Sequence, residues 1–203
     1  IDQMSDPIGE YSRLARSGSR QDENADSDTV EQAKVSADAI NFDINEETNK
    51  LIEEFKKSME NEEGYQNIYI DSNVKLDTDD LFSLELILYQ GAGSGYEQHK
   101  HYTVDKKTGK ELSLKDLCGD DYIDTISEVI KTQMREQMAA DETVQYWLDD
   151  PEVEEWNFDK IAEDQDFYDN EDGHIVVCFN EYDVAPGSMG CVEYTLNETV
   201  NVK

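Results

Sequence analysis

The chain lacks any run of roughly 18 consecutive apolar residues, and it has no basic stretch followed by an apolar one at its start. No membrane-spanning or signal segment is therefore read between Ile1 and Lys203. Basic residues are also scarce: 17 Lys and Arg stand against 49 Asp and Glu, a formal net charge of −32. Such a surface repels nucleic acid and anionic lipid headgroups, which excludes a phosphate-backbone binder. The same field keeps the chain soluble and speeds association with basic proteins. Cysteine is limited to Cys118, Cys178 and Cys191, with no Cys-x-x-Cys spacing, which argues against a structural zinc site. Histidine is scarcer than a metal centre wants: His99 and His101 share one face of an expected strand, and no third histidine lies close in sequence. No nucleophile, histidine and acid arrangement stands out, and carboxylates in nearly every window single out no acid–base pair. No catalytic residue, metal or cofactor is assigned, and the chain is read as a recognition module and not an enzyme.

What is present is one sizeable apolar core behind a polar start. Residues 1–38 are poor in large apolar side chains, and Ser17 to Thr29 has the composition of a flexible linker. The folded domain is expected over residues 39–203. Leu51, Ile52, Phe55 and Met59 fall on one face of a helix that Asn45 is placed to cap. Asn67 to Leu76 alternates Ile68, Ile70, Val74 and Leu76 against polar residues, as a half-buried strand does. Leu81 to Gln90 sets Leu84, Leu86 and Leu88 against Phe82, Ile87 and Tyr89, apolar on both faces, as in a central strand. A third strand is expected over Gln98 to Asp105, then a turn over Lys106 to Gly109 and a short helix capped by Ser113 with Asp116. Ile123, Ile126, Val129, Ile130, Met134 and Met138 mark the main helix. Short helices are expected from Asp141 to Trp147 and after Pro151. Strands follow at Asp166 to Tyr168, His174 to Tyr182 and Cys191 to Leu196. Segregated helices and terminal hairpins define an α+β fold with an antiparallel-rich sheet packed on two main helices, in one compact domain.

Three features carry recognition or chemistry. The Gly-rich segment Gly91 to Tyr96 reads as a long hairpin loop, and it fits neither a phosphate loop, a dinucleotide fingerprint nor a nucleophile elbow. Within it Gly93, Ser94, Gly95 and Tyr96 are contact candidates. Tyr182 with Pro186, Gly187 and Ser188 forms a second candidate, because Tyr presents a rigid ring with a polar tip; a tyrosine stapling the hairpin is the plainer alternative. Cys178 and Cys191 sit nearly symmetrically about Val184 and Ala185, either as a cross-hairpin disulfide or as two buried thiols. The acidic residues between Asp164 and Asp172 break the spacing of a calcium loop at Tyr168 and read as a solvated turn. Trp147 and Trp156, flanking the acidic run Asp149 to Glu155, read most simply as core tryptophans.

The segment FNEYDVAPGSMGCVEYTL, from Phe179 to Leu196, resembles the C-terminal signature of RsiV-type anti-sigma factors. HYTVDKKTGKELSLKDLC, from His101 to Cys118, is similar to the same family's strand, turn and helix start, with Cys118 standing where the family usually carries Phe. Ile123 to Ile161 is similar to the long-helix region of clostridial members, and the resemblance as a whole spans about Ile40 to Leu196. It also touches the non-catalytic region of a peptidoglycan deacetylase. The chain departs from the family pattern at Asn180 and at Pro186-Gly187-Ser188. The resemblance implies the extracellular sensor domain of a single-pass, membrane-anchored protein of a Gram-positive bacterium. It implies a basic partner such as lysozyme, and a sigma factor held by a cytoplasmic segment that would precede Ile1. It further implies that the Gly-rich segment lies on the lysozyme-facing edge, and that ligand binding exposes a juxtamembrane segment to proteolysis. The rival reading is a cell-wall-associated module that recognises peptidoglycan or a protein without any sigma factor. Trypsin is expected to cut near Arg16 or Arg20 before any site beyond Ile40; early cutting between Lys131 and Arg135 would overturn both the linker and the helix assignments.

Overall fold

The computed structural model describes residues 27–61, 66–92, 94–151 and 154–196. It is α+β, with antiparallel sheets and two long helices, as the order of elements implies. The described residues group into two compact units: one is built from residues up to Gly95 together with Lys100–Leu112, the other from Tyr96–His99 with the chain from Ser113 onward.

In the first unit, helix α1 (Ser27–Asn61) lies with a four-stranded antiparallel sheet, β1 (Gln66–Asp77), β2 (Leu81–Ala92), β3 (Ser94–Asp105) and β4 (Lys110–Glu111), in that spatial order. Its core joins Ile40, Ile44 and Leu51 of α1 to Phe82, Leu84, Leu86 and Leu88 of β2 and Tyr102 and Val104 of β3. Helix α1 starts well before Asn45, so the boundary expected at residue 38 falls inside it. The reason is tertiary. Ser36 is buried and accepts a hydrogen bond from the Glu111 amide at 3.3 Å. Gly109, at φ +71°, lets the β3–β4 turn approach so closely that a Cβ there would lie 2.5 Å from the Ala33 amide nitrogen. Asn45 is therefore mid-helix, where its amide donates to the Asn41 carbonyl one turn back at 2.7 Å and caps nothing. The linker proposed for Ser17 to Thr29 lies outside the described residues up to residue 26; from Ser27 it is helix.

Strand β1 follows the expected alternation only to a bulge. The register shifts between Val74 and Leu76, so Leu76 stands opposite Ser83 on the other face from Ile68 and Ile70, while Val74 is exposed. Phe82 joins Leu84, Leu86 and Leu88 on one face, not the opposite one. The second face of β2 carries buried polar residues at Ser83 and Glu85, with Ile87 and Tyr89 half-buried beyond them. Ser83 and Thr103 share a 2.8 Å hydroxyl hydrogen bond. Glu85 is reached by Asn73 at 2.9 Å, Lys75 at 3.4 Å and His101 at 3.2 Å, so its charge is met on three sides.

The second unit packs helix α3 (Tyr122–Ala140) with a three-stranded antiparallel sheet of β5 (Phe167–Asp169), β6 (Ile175–Phe179) and β7 (Val192–Thr195). The short helix α2 (Leu114–Cys118) precedes α3 and carries the expected capping box between Ser113 and Asp116. Ile126, Ile130 and Met134 of α3 are fully buried in one cluster with Phe158, Phe167, Val177, Phe179 and Tyr194. The helix expected from Asp141 to Trp147 does not form. The Asp141 carboxylate instead accepts from the Thr143 amide at 2.8 Å, closing a turn that competes with helix. Among the described residues after Pro151, the stretch expected to be helical holds a single 3₁₀ turn, Glu154–Trp156. Residues Asn180 to Asp183 leave the strand, because the Asp183 carboxylate accepts from the Asn180 amide at 2.8 Å and the Asp183 amide donates to the Asn180 carbonyl at 3.1 Å. The Asn170–Gly173 turn is closed by the Asn170 side chain, as a solvated turn is, with Gly173 at φ +77°.

Ile130→Ala removes a fully buried branched side chain. A stability loss of about 2–5 kcal/mol is expected in denaturant unfolding, with Val129→Ala, at a partly buried neighbouring position, losing clearly less.

Candidate functional site

The loop between β6 and β7 and the segment after α3 meet in an open cleft of about 470 Å³ lined by Trp147, Trp156, Tyr182, Pro186 and Gly187. Each wall has a local cause. Trp147 is fixed by two backbone bonds: its amide donates to the Val184 carbonyl at 2.8 Å, and its carbonyl accepts from the Phe158 amide at 2.8 Å. Val184 and Ala185, each 2% exposed, anchor the opposite side in the core. Asn157 clamps the intervening loop, accepting from the Asp150 amide at 3.1 Å and donating to its carbonyl at 2.8 Å. Trp156 is thereby held against Trp147, ring centres 5.4 Å apart and tilted by 50°, while remaining 55% exposed.

Tyr182 has φ +68°, a conformation a bulky residue rarely adopts. Its ring lies over Gly187, where any Cβ would collide with the phenol, so glycine at 187 is a steric requirement. The outer side of the ring stacks on Tyr96, centroids 6.2 Å apart and 29° from parallel. Burial, then the charge of Asp183, Cys191 and Glu181, holds the Tyr96 phenol above its ordinary value. Tyr96 and Tyr182 are both exposed, so this unit presents four aromatic rings, with Trp147 and Trp156, in an otherwise acidic chain. Such a surface offers stacking area and polar tips with little side-chain entropy to lose.

The residues expected to make contacts divide. Tyr96, Tyr182, Pro186 and Gly187 come together in the second unit, and Ser188 is exposed in the 3₁₀ turn Gly187–Met189. Ser94 and Gly95 are exposed at the start of β3 and belong to the first unit. Gly93 lies outside the described residues. The Gly-rich stretch is not a long loop: β2 runs to Ala92 and β3 begins at Ser94. Its glycines serve the strands, since a Cβ at Gly95 would lie 2.6 Å from the Tyr89 hydroxyl. The direct pairing of Cys178 and Cys191 does not occur. Register places Cys178 opposite Glu193, and Cys191 lies beyond the Phe179–Val192 pair; all three cysteines are thiols. Burial pushes the Cys118 and Cys191 thiols up, the latter to about 11. His101 is buried against Glu85, whereas His99 Nε2 lies 3.1 Å from Glu97. The two tryptophans are not the core residues expected: Trp156 is exposed and Trp147 half-buried, because the loop that replaces the expected helices holds them at the surface.

Residues 115–197 match the family model described as "Protein of unknown function (DUF3298)". A DUF3298 domain of α+β architecture is therefore present over the stretch that holds the cleft. The RsiV-type resemblance read from the sequence holds as well: the chain is 41% identical over 160 residues to "Anti-sigma-V factor RsiV" of Bacillus subtilis (strain 168). That match covers 78% of this chain and 55% of the relative, so the chain spans about half the length of the curated protein it matches. A DUF3298 family protein from Pseudomonas aeruginosa PAO1 shares the fold at 16% identity and a TM-score of 0.51, covering 71% of this chain and 64% of its own. A member of the same family from Bacteroides fragilis NCTC 9343 gives 22% identity and a TM-score of 0.48, covering 82% and 66%.

Although Asp183 is exposed at the surface, partial desolvation in its turn raises its carboxyl above the ordinary 3.8, with the Asn180 amide opposing and Asp166 adding to it. A raised folded value means the fold prefers the protonated form, a contribution complete below the unfolded value and lost as pH rises through the folded one. Asp183→Asn keeps an oxygen for the Asn180 amide without the charge. Its thermal midpoint is expected above the parent's at pH 7, with the gap closing as pH falls to about 4; equal midpoints at pH 7 would show a hydrated, uncosted carboxylate.

Proposed function

We propose that this chain is the extracellular sensing part of a membrane-anchored anti-sigma factor, and that its aromatic face binds a basic protein such as a c-type lysozyme. The carrying observation is the 41% identity over 160 residues to an anti-sigma factor. The exposed Tyr96–Tyr182 stack supports it physically: rigid aromatic anchors in a pocket are what interfaces use for most of their affinity. The net charge of −32 supports a basic partner through attraction at long range. On this reading no reaction occurs in the domain. On the same reading, partner binding exposes a juxtamembrane segment to proteolysis, and a sigma factor held elsewhere in the full protein is released.

Among the described residues no helix is long and apolar enough to cross a membrane, so the anchor would lie outside them. The tilted Trp147–Trp156 pair favours the second reading, a cell-wall-associated module, because indole faces also stack on sugar rings.

Calorimetric titration with a c-type lysozyme at low salt and at about 0.15 M, where the screening length is roughly 8 Å, separates these. Saturable binding that persists at the higher salt is expected, with cytochrome c failing to reproduce it. Tyr182→Ala is expected to lose at least about 2 kcal/mol, as a central aromatic anchor does. Binding that vanishes with salt or equals the cytochrome c control would overturn the lysozyme reading, and saturable heat with soluble peptidoglycan fragments would favour the second one.

A further inference from the structure

Away from the cleft's indoles, the second unit gathers three unlike donors. Glu97 and His99 stand two residues apart on β3, so their side chains leave the same face. Cys191 comes from the residue before β7. One carboxylate oxygen, one imidazole nitrogen and the thiol sulfur of these residues all lie within 4.8 Å of one another.

The group is held by its own backbone. Cys191 Sγ lies 3.4 Å from the Glu97 carbonyl oxygen, and the Asn180 side-chain oxygen accepts from the His99 amide at 2.6 Å. The same oxygen is 3.9 Å from Cys191 Sγ, so Asn180 ties the two segments together. The cluster is half-buried: the side chains of His99 and Glu97 are 19% and 42% exposed, which leaves an approach from solvent. Glu97, Glu181 and Asp183 all direct negative charge at the thiol. One Glu181 oxygen, Oε2, is buried without a hydrogen-bond partner among the described residues.

We propose that Glu97, His99 and Cys191 form a three-ligand site for a borderline-soft divalent cation, Zn²⁺ foremost, with a fourth position open to water or another donor. The donor types decide the class. A thiolate with an imidazole and one carboxylate suits Zn²⁺, whereas Ca²⁺ and Mg²⁺ take oxygen sets. Tetrahedral Zn²⁺ with these ligands needs donor separations of about 3.3–3.7 Å. The His99–Glu97 distance of 3.1 Å is already close to that, and side-chain rotation of Glu97 and Cys191 supplies the rest. Binding releases the thiol proton and forms the Zn–S bond, with no redox change. Tyr96 is the residue before Glu97, so the ion would also fix the strand end that carries the Tyr96–Tyr182 stack.

The test is titration of the reduced, chelator-treated chain with Co²⁺, whose thiolate bond gives an ultraviolet charge-transfer band that carboxylates do not produce. The expected result is a band saturating at one equivalent and bleached by one equivalent of Zn²⁺. Cys191→Ser should abolish it, His99→Gln should weaken affinity at least about tenfold, and Cys118→Ser and Cys178→Ser should retain it. Far-ultraviolet circular dichroism without metal checks that each variant is folded. A saturable band that survives Cys191→Ser in a folded protein, or no saturable band in the parent, would overturn the site and leave the cluster as a hydrogen-bonded contact. Neither result bears on lysozyme binding, which is measured on metal-free protein.

Discussion

The apolar stripe of α3 against the β5–β7 sheet is the constraint on which the second unit depends. Ile126, Ile130 and Met134 are each fully buried, and burying side chains of this size contributes about 1.5–3 kcal/mol apiece. The stripe fixes the sheet, and the sheet fixes where the connecting loops can go. Val184 and Ala185 belong to the same buried cluster, so the β6–β7 connection is nailed to the core at its centre while Tyr182 on one side and Pro186 on the other stay at the surface. Trp147 then takes its position from two backbone bonds, to Val184 and to Phe158. The backbone that carries the exposed rings is thus anchored to the core, which lowers what ordering it would cost on binding.

Strain falls where that surface is built. Tyr182 is one of two non-glycine residues with positive φ among the described residues, and such a conformation costs about 1–2 kcal/mol. The reciprocal hydrogen bonds of Asn180 and Asp183 and the bare backbone of Gly187 together hold the ring in place against that cost. The same Asn180 reaches the amide of His99 and the thiol of Cys191, so one turn serves both the aromatic face and the mixed-donor cluster.

The acidity is likewise structured. Many carboxylates are solvated, but some are built into the fold. Glu85 is buried among Asn73, Lys75 and His101. Although burial opposes it, hydrogen bonds from Lys100 and Tyr102 keep the Asp43 carboxyl below its ordinary value, and both donors come from β3. Asp169 has no such help, and burial alone raises its carboxyl. The net charge therefore describes the field seen by a partner, while individual carboxylates decide local stability.

Where apolar periodicity is strong, the sequence was enough. The α3 stripe, the Leu84, Leu86 and Leu88 face of β2 and the Ser113 capping box each follow from side chains a few residues apart, because local spacing sets which faces can be buried. Composition likewise determined the −32 charge. Tertiary structure decided what depends on distant neighbours. Ser36 and Gly109 extend α1 into a stretch that composition alone leaves open, because its partners lie some seventy residues away. The bulge at Lys75 reverses the face of Leu76, a one-residue shift that no alternation pattern announces. The Tyr182 stack on Tyr96 and the meeting of Cys191 with Glu97 and His99 join residues more than eighty positions apart. Such contacts exist only once the two strands and the turn at Asn180 are in place, so the sequence supplied the side chains and the fold supplied the site.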